Sequence, residues 1–182
     1  MSERTPSRRP TLFGSIKRMA LCAMLVAMSV VIGIFCKSFL NFSNGLLRIT
    51  FENLPILLAG IFLGPIAGGA VGIASDLVSY LLSPQTYPPN LIVTLGACTV
   101  GVVAGLMAKF VIKSRGRKQI ILSCAAAHLA GSMIIKTIGL FTFYQWGVLV
   151  RFPLYLVIAS LEILLLCVLW HQKSFRRLFE NL

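Results

Sequence analysis

Asp76 stands in a glycine- and alanine-rich apolar stretch, about ten residues before a proline-rich turn, and Lys136 stands about ten residues before another turn near Trp146. Read as helices rising about 1.5 Å per residue, the two stretches bring the carboxylate and the ammonium to one depth. An ionisable group inside a bilayer is costly unless paired or hydrated, so Asp76 and Lys136 are expected either to meet or to face one ligand together. By the same count His128 and Glu162 share a deeper level, and they read as a structural hydrogen-bonded pair. Arg48 and Arg151 flank the outer ends of two further segments, where an arginine either snorkels to headgroups or helps form a cationic mouth for an anionic ligand. Glu52, one helical turn from Arg48, is within pairing reach of it. Tyr87, Asn90, Thr94, Tyr144, Gln145 and Trp146 add aromatic faces and hydrogen-bonding groups at that rim, although an aromatic belt accounts for Tyr144 and Trp146 more simply. Together these residues point to binding chemistry rather than bond-breaking chemistry.

Such groups need long apolar elements to hold them. The first helix is expected from about Ile16 to Cys36, long enough to cross a hydrocarbon core of roughly 30 Å. After a polar loop containing Asn41, Ser43, Asn44 and Gly45, a short run from Phe51 to Leu63 ends at Gly64-Pro65, a pair that turns the chain. The third segment, Ile66 to Leu82, precedes a stiff loop whose Pro84, Pro88 and Pro89 forbid a continuous helix. Leu91 to Ile112, Ile120 to about Phe143, and Leu149 to Trp170 complete an all-α bundle of six crossings. A re-entrant hairpin at 64–65 would invert the later loops and conflicts with the charge pattern.

That charge pattern is one-sided. Of 17 Lys and Arg, 13 fall in the N-terminal arm (Arg4, Arg8, Arg9, Lys17, Arg18), in the loop holding Lys109, Lys113, Arg115, Arg117 and Lys118, and in the tail holding Lys173, Arg176 and Arg177. Positive residues collect on the cytoplasmic side, so both termini are expected there. The chain divides into a basic arm at 1–15, a transmembrane domain at 16–171 and a cytoplasmic tail at 172–182. Only Lys37, Arg48, Lys136 and Arg151 remain for the outer half.

Composition agrees: 57% of residues are hydrophobic, 12% are charged, and mean hydropathy is +0.88. Lipid is the solvent for such a chain. Its net charge of +12 follows from the inside bias and from anionic headgroups, so no nucleic acid is implied as a partner. Five cysteines, odd in number and widely spaced without C-x-x-C, indicate neither a zinc site nor a disulfide framework. No metal or cofactor is expected. The first apolar segment is too long, and lacks the small-residue cleavage pattern, for a signal peptide. No phosphate-cradling G-x-x-x-x-G-K-[ST], no H-E-x-x-H and no G-x-S-x-G occurs, so the chain is not expected to be an enzyme or to use ATP itself. Ala20, Ala23 and Ala27 form a small-residue stripe on the first helix, and Gly68, Gly69 and Gly72 form another on the third; each fits either internal packing or a docking face.

Taken together, Ala23-Met-Leu-Val-Ala27, Leu47-Arg48-Ile49-Thr50-Phe51-Glu52-Asn53-Leu54-Pro55, Leu63-Gly64-Pro65-Ile66-Ala67-Gly68 with Ala74-Ser75-Asp76-Leu77, Lys136-Thr137-Ile138-Gly139-Leu140 and Arg151-Phe152-Pro153 resemble the substrate-binding (S) components of energy-coupling factor (ECF) vitamin transporters, in their folate branch. The resemblance spans nearly the whole chain. It implies a six-helix bundle with a pocket at the outer face, docked on a transmembrane coupling subunit and two cytosolic ATPases in the bacterial cytoplasmic membrane. It also implies that Ala23 and Ala27, with Ala20 beside them, meet the coupling subunit, and that small residues on the first three helices form a sliding face. Two positions depart from the folate-branch pattern: Tyr87-Pro88-Pro89-Asn90-Leu91 replaces a motif like Phe-Pro-Gly-Phe-Thr, and Lys136 stands in place of an asparagine.

Folate fits this residue set chemically. Asp76 can accept adjacent N–H donors of a pterin, Tyr87 can stack on its ring, and Arg48 or Arg151 can take the glutamate carboxylates, with Asn90, Thr94 and Lys136 completing the substrate set. Another heterocyclic vitamin or precursor would use similar groups. A self-sufficient ion-coupled carrier would instead use Asp76, His128 and Glu162 as its relay.

Overall fold

The computed structural model describes residues 16–42, 47–82, 90–111 and 117–172. The N-terminal arm at 1–15, the 83–89 loop with Tyr87, the middle of the 109–118 basic loop and nearly all of the 172–182 tail lie outside these residues. So do the side chains of 41–48, Arg48 among them.

Six helical rods are present among the described residues. The first is Ile16–Phe39 and continues three residues beyond the expected end at Cys36. Asn41–Phe42 pairs antiparallel with Leu47–Arg48, a two-residue ladder that is the sole departure from an all-helical chain there. The second rod is Asn53–Leu58 extended by a π-turn, Ala59–Leu63. Every residue from Asn53 to Gly60 is buried, so this short apolar helix is the axis around which the others pack. Gly64 then turns the chain at φ 105°, a conformation open to glycine, and Pro65 opens the third helix, where its missing N–H is no loss.

That third helix is Pro65–Leu82; the fourth runs Leu91–Leu106 and ends in a π-turn, Met107–Val111. The fifth starts as Arg117–Ala127, loosens into a nine-residue π stretch, His128–Lys136, and finishes as Thr137–Tyr144. The sixth begins with the tight turn Gln145–Val150 and continues as Arg151–His171. Five of the rods have the length and apolarity to cross a membrane, and Asn53–Leu63 is a shorter apolar helix. The molecule is a multi-pass membrane protein, as its composition required.

Glycine sets the closest crossing. A Cβ on Gly68 would stand 2.6 Å from the Gly101 carbonyl oxygen, and Gly101 lies equally hard against Gly68. Gly69 and Gly72 face Val102, Cys98 and Ala97 of the fourth helix in the same way. The third-helix stripe is therefore an internal seam and not part of an outward sliding face, which corrects the expectation for small residues on the first three helices. Backbone against backbone leaves no side chain able to yield. Gly101→Ala is thus expected to destabilise the bundle by about 1–3 kcal/mol, seen as a lowered unfolding temperature in detergent.

Below this crossing the core is apolar, built from Leu54, Ile56, Leu57, Leu58, Val71, Val100, Ala104, Ile120, Cys124 and Leu166. Above it the interior turns polar, and there the bundle opens a cavity.

Candidate functional site

The cavity, of about 110 Å³, lies between the ends of the first and third helices, where Lys37, Leu77 and Tyr80 stand, and the beginnings of the second, fourth and sixth, which supply Glu52, Asn53, Asn90, Leu91, Val93, Thr94, Tyr155 and Ile158. His128, Ser132, Lys136 and Leu140 of the fifth helix complete the wall, and Thr50 lies just before the second. A smaller void of about 10 Å³ lies alongside; Glu52, Asp76 and Lys136 border both spaces.

Local structure explains why these side chains converge. Asn90 caps the fourth helix, its Oδ1 accepting from Ile92 N at 2.9 Å, while its Nδ2 donates to the Gly139 carbonyl at 2.7 Å and ties two helices together at the rim. Thr94, one turn further along, donates to Asp76 Oδ2 at 2.6 Å. In the π stretch, wider than an α-helix, His128, Ser132 and Lys136 are all buried and all face the cavity. Lys136 Nζ donates to Asn53 Oδ1 at 3.0 Å and stands 3.8 Å from Glu52. Lys37 Nζ donates to Ser79 Oγ at 2.7 Å, which holds a second ammonium at the end of the first helix.

Asp76 and Lys136 do not pair directly. Each is satisfied by its own neighbours, Thr94 for the acid and Asn53 with Glu52 for the base, and both face one shared space. Deeper in, His128 Nε2 lies 2.7 Å from Glu162 Oε2, so the pair expected from the depth count does form. The carboxylate oxygen sits off the line of an ideal N–H···O bond, and Glu162 is wholly buried. Ser132 Oγ lies 3.4 Å from His128 Nδ1.

The other expected site residues distribute unevenly. Asn90 and Thr94 line the cavity. Arg151 is buried at the start of the sixth helix and engaged by neighbours, but it is not among the residues that line the space. Tyr87 and the Arg48 side chain lie outside the described residues. Sequence reasoning left Lys37, Asn53, Tyr80 and Tyr155 out of the set, and it read Glu52 as a companion of Arg48 only. The overlooked signal was Glu52-Asn53 at the head of a fully apolar helix, where polar side chains must find partners inside the bundle.

Ala20, Ala23 and Ala27 are all exposed on the first helix, beside exposed Met19, Met24 and Met28. They form an outward face of small and flexible residues.

Residues 17–178 match the model of the family "ECF transporter, substrate-specific component". The chain belongs to that family. As a substrate-specific component it is a transport protein that contributes binding, in keeping with a polar cavity inside an apolar bundle. Among its relatives is the folate transporter FolT of Clostridium novyi (strain NT), 27% identical over 116 residues; the match spans 63% of this chain and 65% of that protein, just under two thirds of its length. A crystal structure of a FolT bound with folic acid superposes with a TM-score of 0.62 at 23% identity, covering 85% of this chain and 90% of that one. At that identity the likeness is one of fold, and it extends over most of the six-helix bundle.

Proposed function

We propose that this substrate-specific component captures folate or a close pterin relative outside the bacterial cytoplasmic membrane. Delivery inward would follow in complex with a transmembrane coupling subunit and two cytosolic ATPases. The observation that carries the reading is Asp76. Its carboxylate, oriented by Thr94 at 2.6 Å, faces a polar cavity in an otherwise apolar bundle, and it offers the paired acceptors that adjacent N–H donors of a pterin require. The likeness to transporters named for folate supports the same choice.

In this reading Asp76, Thr94, Asn90 and Lys136 bind the heterocycle, Tyr87 stacks on it, and Arg48 and Arg151 attract the glutamate carboxylates. Residues 16–171 are the binding domain. The basic arm and tail remain in the cytoplasm, because 13 of 17 Lys and Arg cluster with them and with the 109–118 loop. The cavity then lies toward the outside, at the bundle end opposite Lys109 and Lys118. Ala20, Ala23 and Ala27 meet the coupling subunit.

A thermal-shift screen of the detergent-purified protein against vitamins tests the ligand. A compound that binds the folded state alone stabilises it by about 2.7 kcal/mol at a concentration a hundred times its Kd. Folic acid is expected to raise the unfolding temperature, and riboflavin, thiamine and biotin are not. A shift with one of those three instead would discard folate and keep the capture role. Uptake that survives deletion of the ATPases would favour the ion-coupled carrier.

A further inference from the structure

Asp76 and Lys136 are both satisfied within the protein, yet they border the same cavity and the same small void beside it. The acid presents acceptors only. The base presents donors only, and its ammonium has three: one is committed to Asn53 at 3.0 Å, and another faces Glu52 at the longer distance of 3.8 Å. Glu52 and Asn53 hold the ammonium from the second-helix side and leave it at the cavity wall. The same space is therefore bordered by an acceptor-only group and a donor-only group.

From this juxtaposition we infer that Lys136 is a specificity-determining residue that, with Asp76, selects a donor-donor-acceptor edge, the 2-amino, N3–H and 4-oxo edge of a pterin, against its 4-amino counterpart. The inference rests on the folate reading and adds to it a residue and a rule. Asp76 takes the 2-amino and N3–H donors; Lys136 donates to O4. A 2,4-diaminopteridine also pairs with a carboxylate, but it does so through its 2-amino group and a protonated N1. That pairing makes the ring a cation, which a neighbouring ammonium repels. Asp76 alone would accept either ring. Lys136 disfavours the second by charge and favours the first by donating to O4.

The test is to measure Kd for folic acid and for aminopterin, which differ at position 4, with purified wild type, Lys136→Met and Lys136→Gln. Wild type is expected to prefer folic acid at least tenfold. Lys136→Met, near in volume but without charge or donor, is expected to bring the two Kd values within twofold, chiefly by binding aminopterin more tightly. Lys136→Gln, which keeps a neutral donor, should fall between them, and it supplies the comparison if the methionine variant does not fold. A preference that persists in both variants overturns the assignment, as does a wild type that binds both compounds alike. If neither compound binds wild type, the folate reading itself fails and the inference falls with it; binding of both without discrimination refutes the inference alone.

Discussion

An Asp76→Asn protein is expected to bind folic acid about a hundredfold more weakly than wild type while unfolding at the same temperature or higher. The magnitude follows from the two hydrogen bonds a carboxylate accepts from adjacent ring donors. Each hydrogen bond to a charged group contributes about 1.5–3 kcal/mol, and an amide replaces one acceptor with a donor that opposes the ligand's own N–H. The stability half follows from the setting. Thr94 Oγ1 can still donate to the remaining amide oxygen at this position, and a neutral side chain is easier to keep within a bilayer than a carboxylate. Calorimetric titration gives the affinity and thermal unfolding gives the stability. Unchanged affinity would remove Asp76 from the site, whereas a collapse in stability would make it a structural residue.

The second large effect concerns uptake and leaves binding intact. Ala23 and Ala27 are exposed, on a face with Ala20 and with Met19, Met24 and Met28, and none of the three alanines contributes to the cavity. Ala27→Trp therefore leaves the bundle and its ligand site as they are. Against lipid alone an indole on this face is well tolerated, but against a closely approaching helix it is not, because small residues are what permit close approach. In cells that supply the proposed ATPase module, uptake of labelled folic acid is expected to fall at least tenfold in Ala23→Trp and in Ala27→Trp. The purified variants should keep the wild-type Kd. Full uptake would mean that the face meets only lipid.

Much of this architecture was legible because the bilayer imposes simple rules on a sequence. Length, apolarity and the clustering of Lys and Arg defined the rods, and Gly64-Pro65 marked a turn that the structure makes at a single residue with φ 105°. Depth counting from the turns also brought His128 to Glu162 correctly, since rise per residue is nearly constant along a helix. For Asp76 and Lys136 it leaves open whether the two meet, and the structure places them on one cavity without direct pairing. Depth says nothing about azimuth, and the π stretch His128–Lys136 rotates Lys136 toward the second helix and its Glu52-Asn53 pair. No local signal announces that change of winding. The small-residue stripes show the same limit: alanines on the first helix and glycines on the third have equivalent spacing, yet one faces outward and the other forms the tightest seam in the bundle.

The most direct test of a capture subunit is to titrate folic acid into the purified chain alone, in detergent, with no ATPase and no coupling subunit present. Saturable binding of one folic acid per chain is the expected result, because Asp76, Thr94, Asn90 and Lys136 of this polypeptide border one cavity. No binding to the isolated chain, with binding restored only when the partner subunits are added, would contradict it.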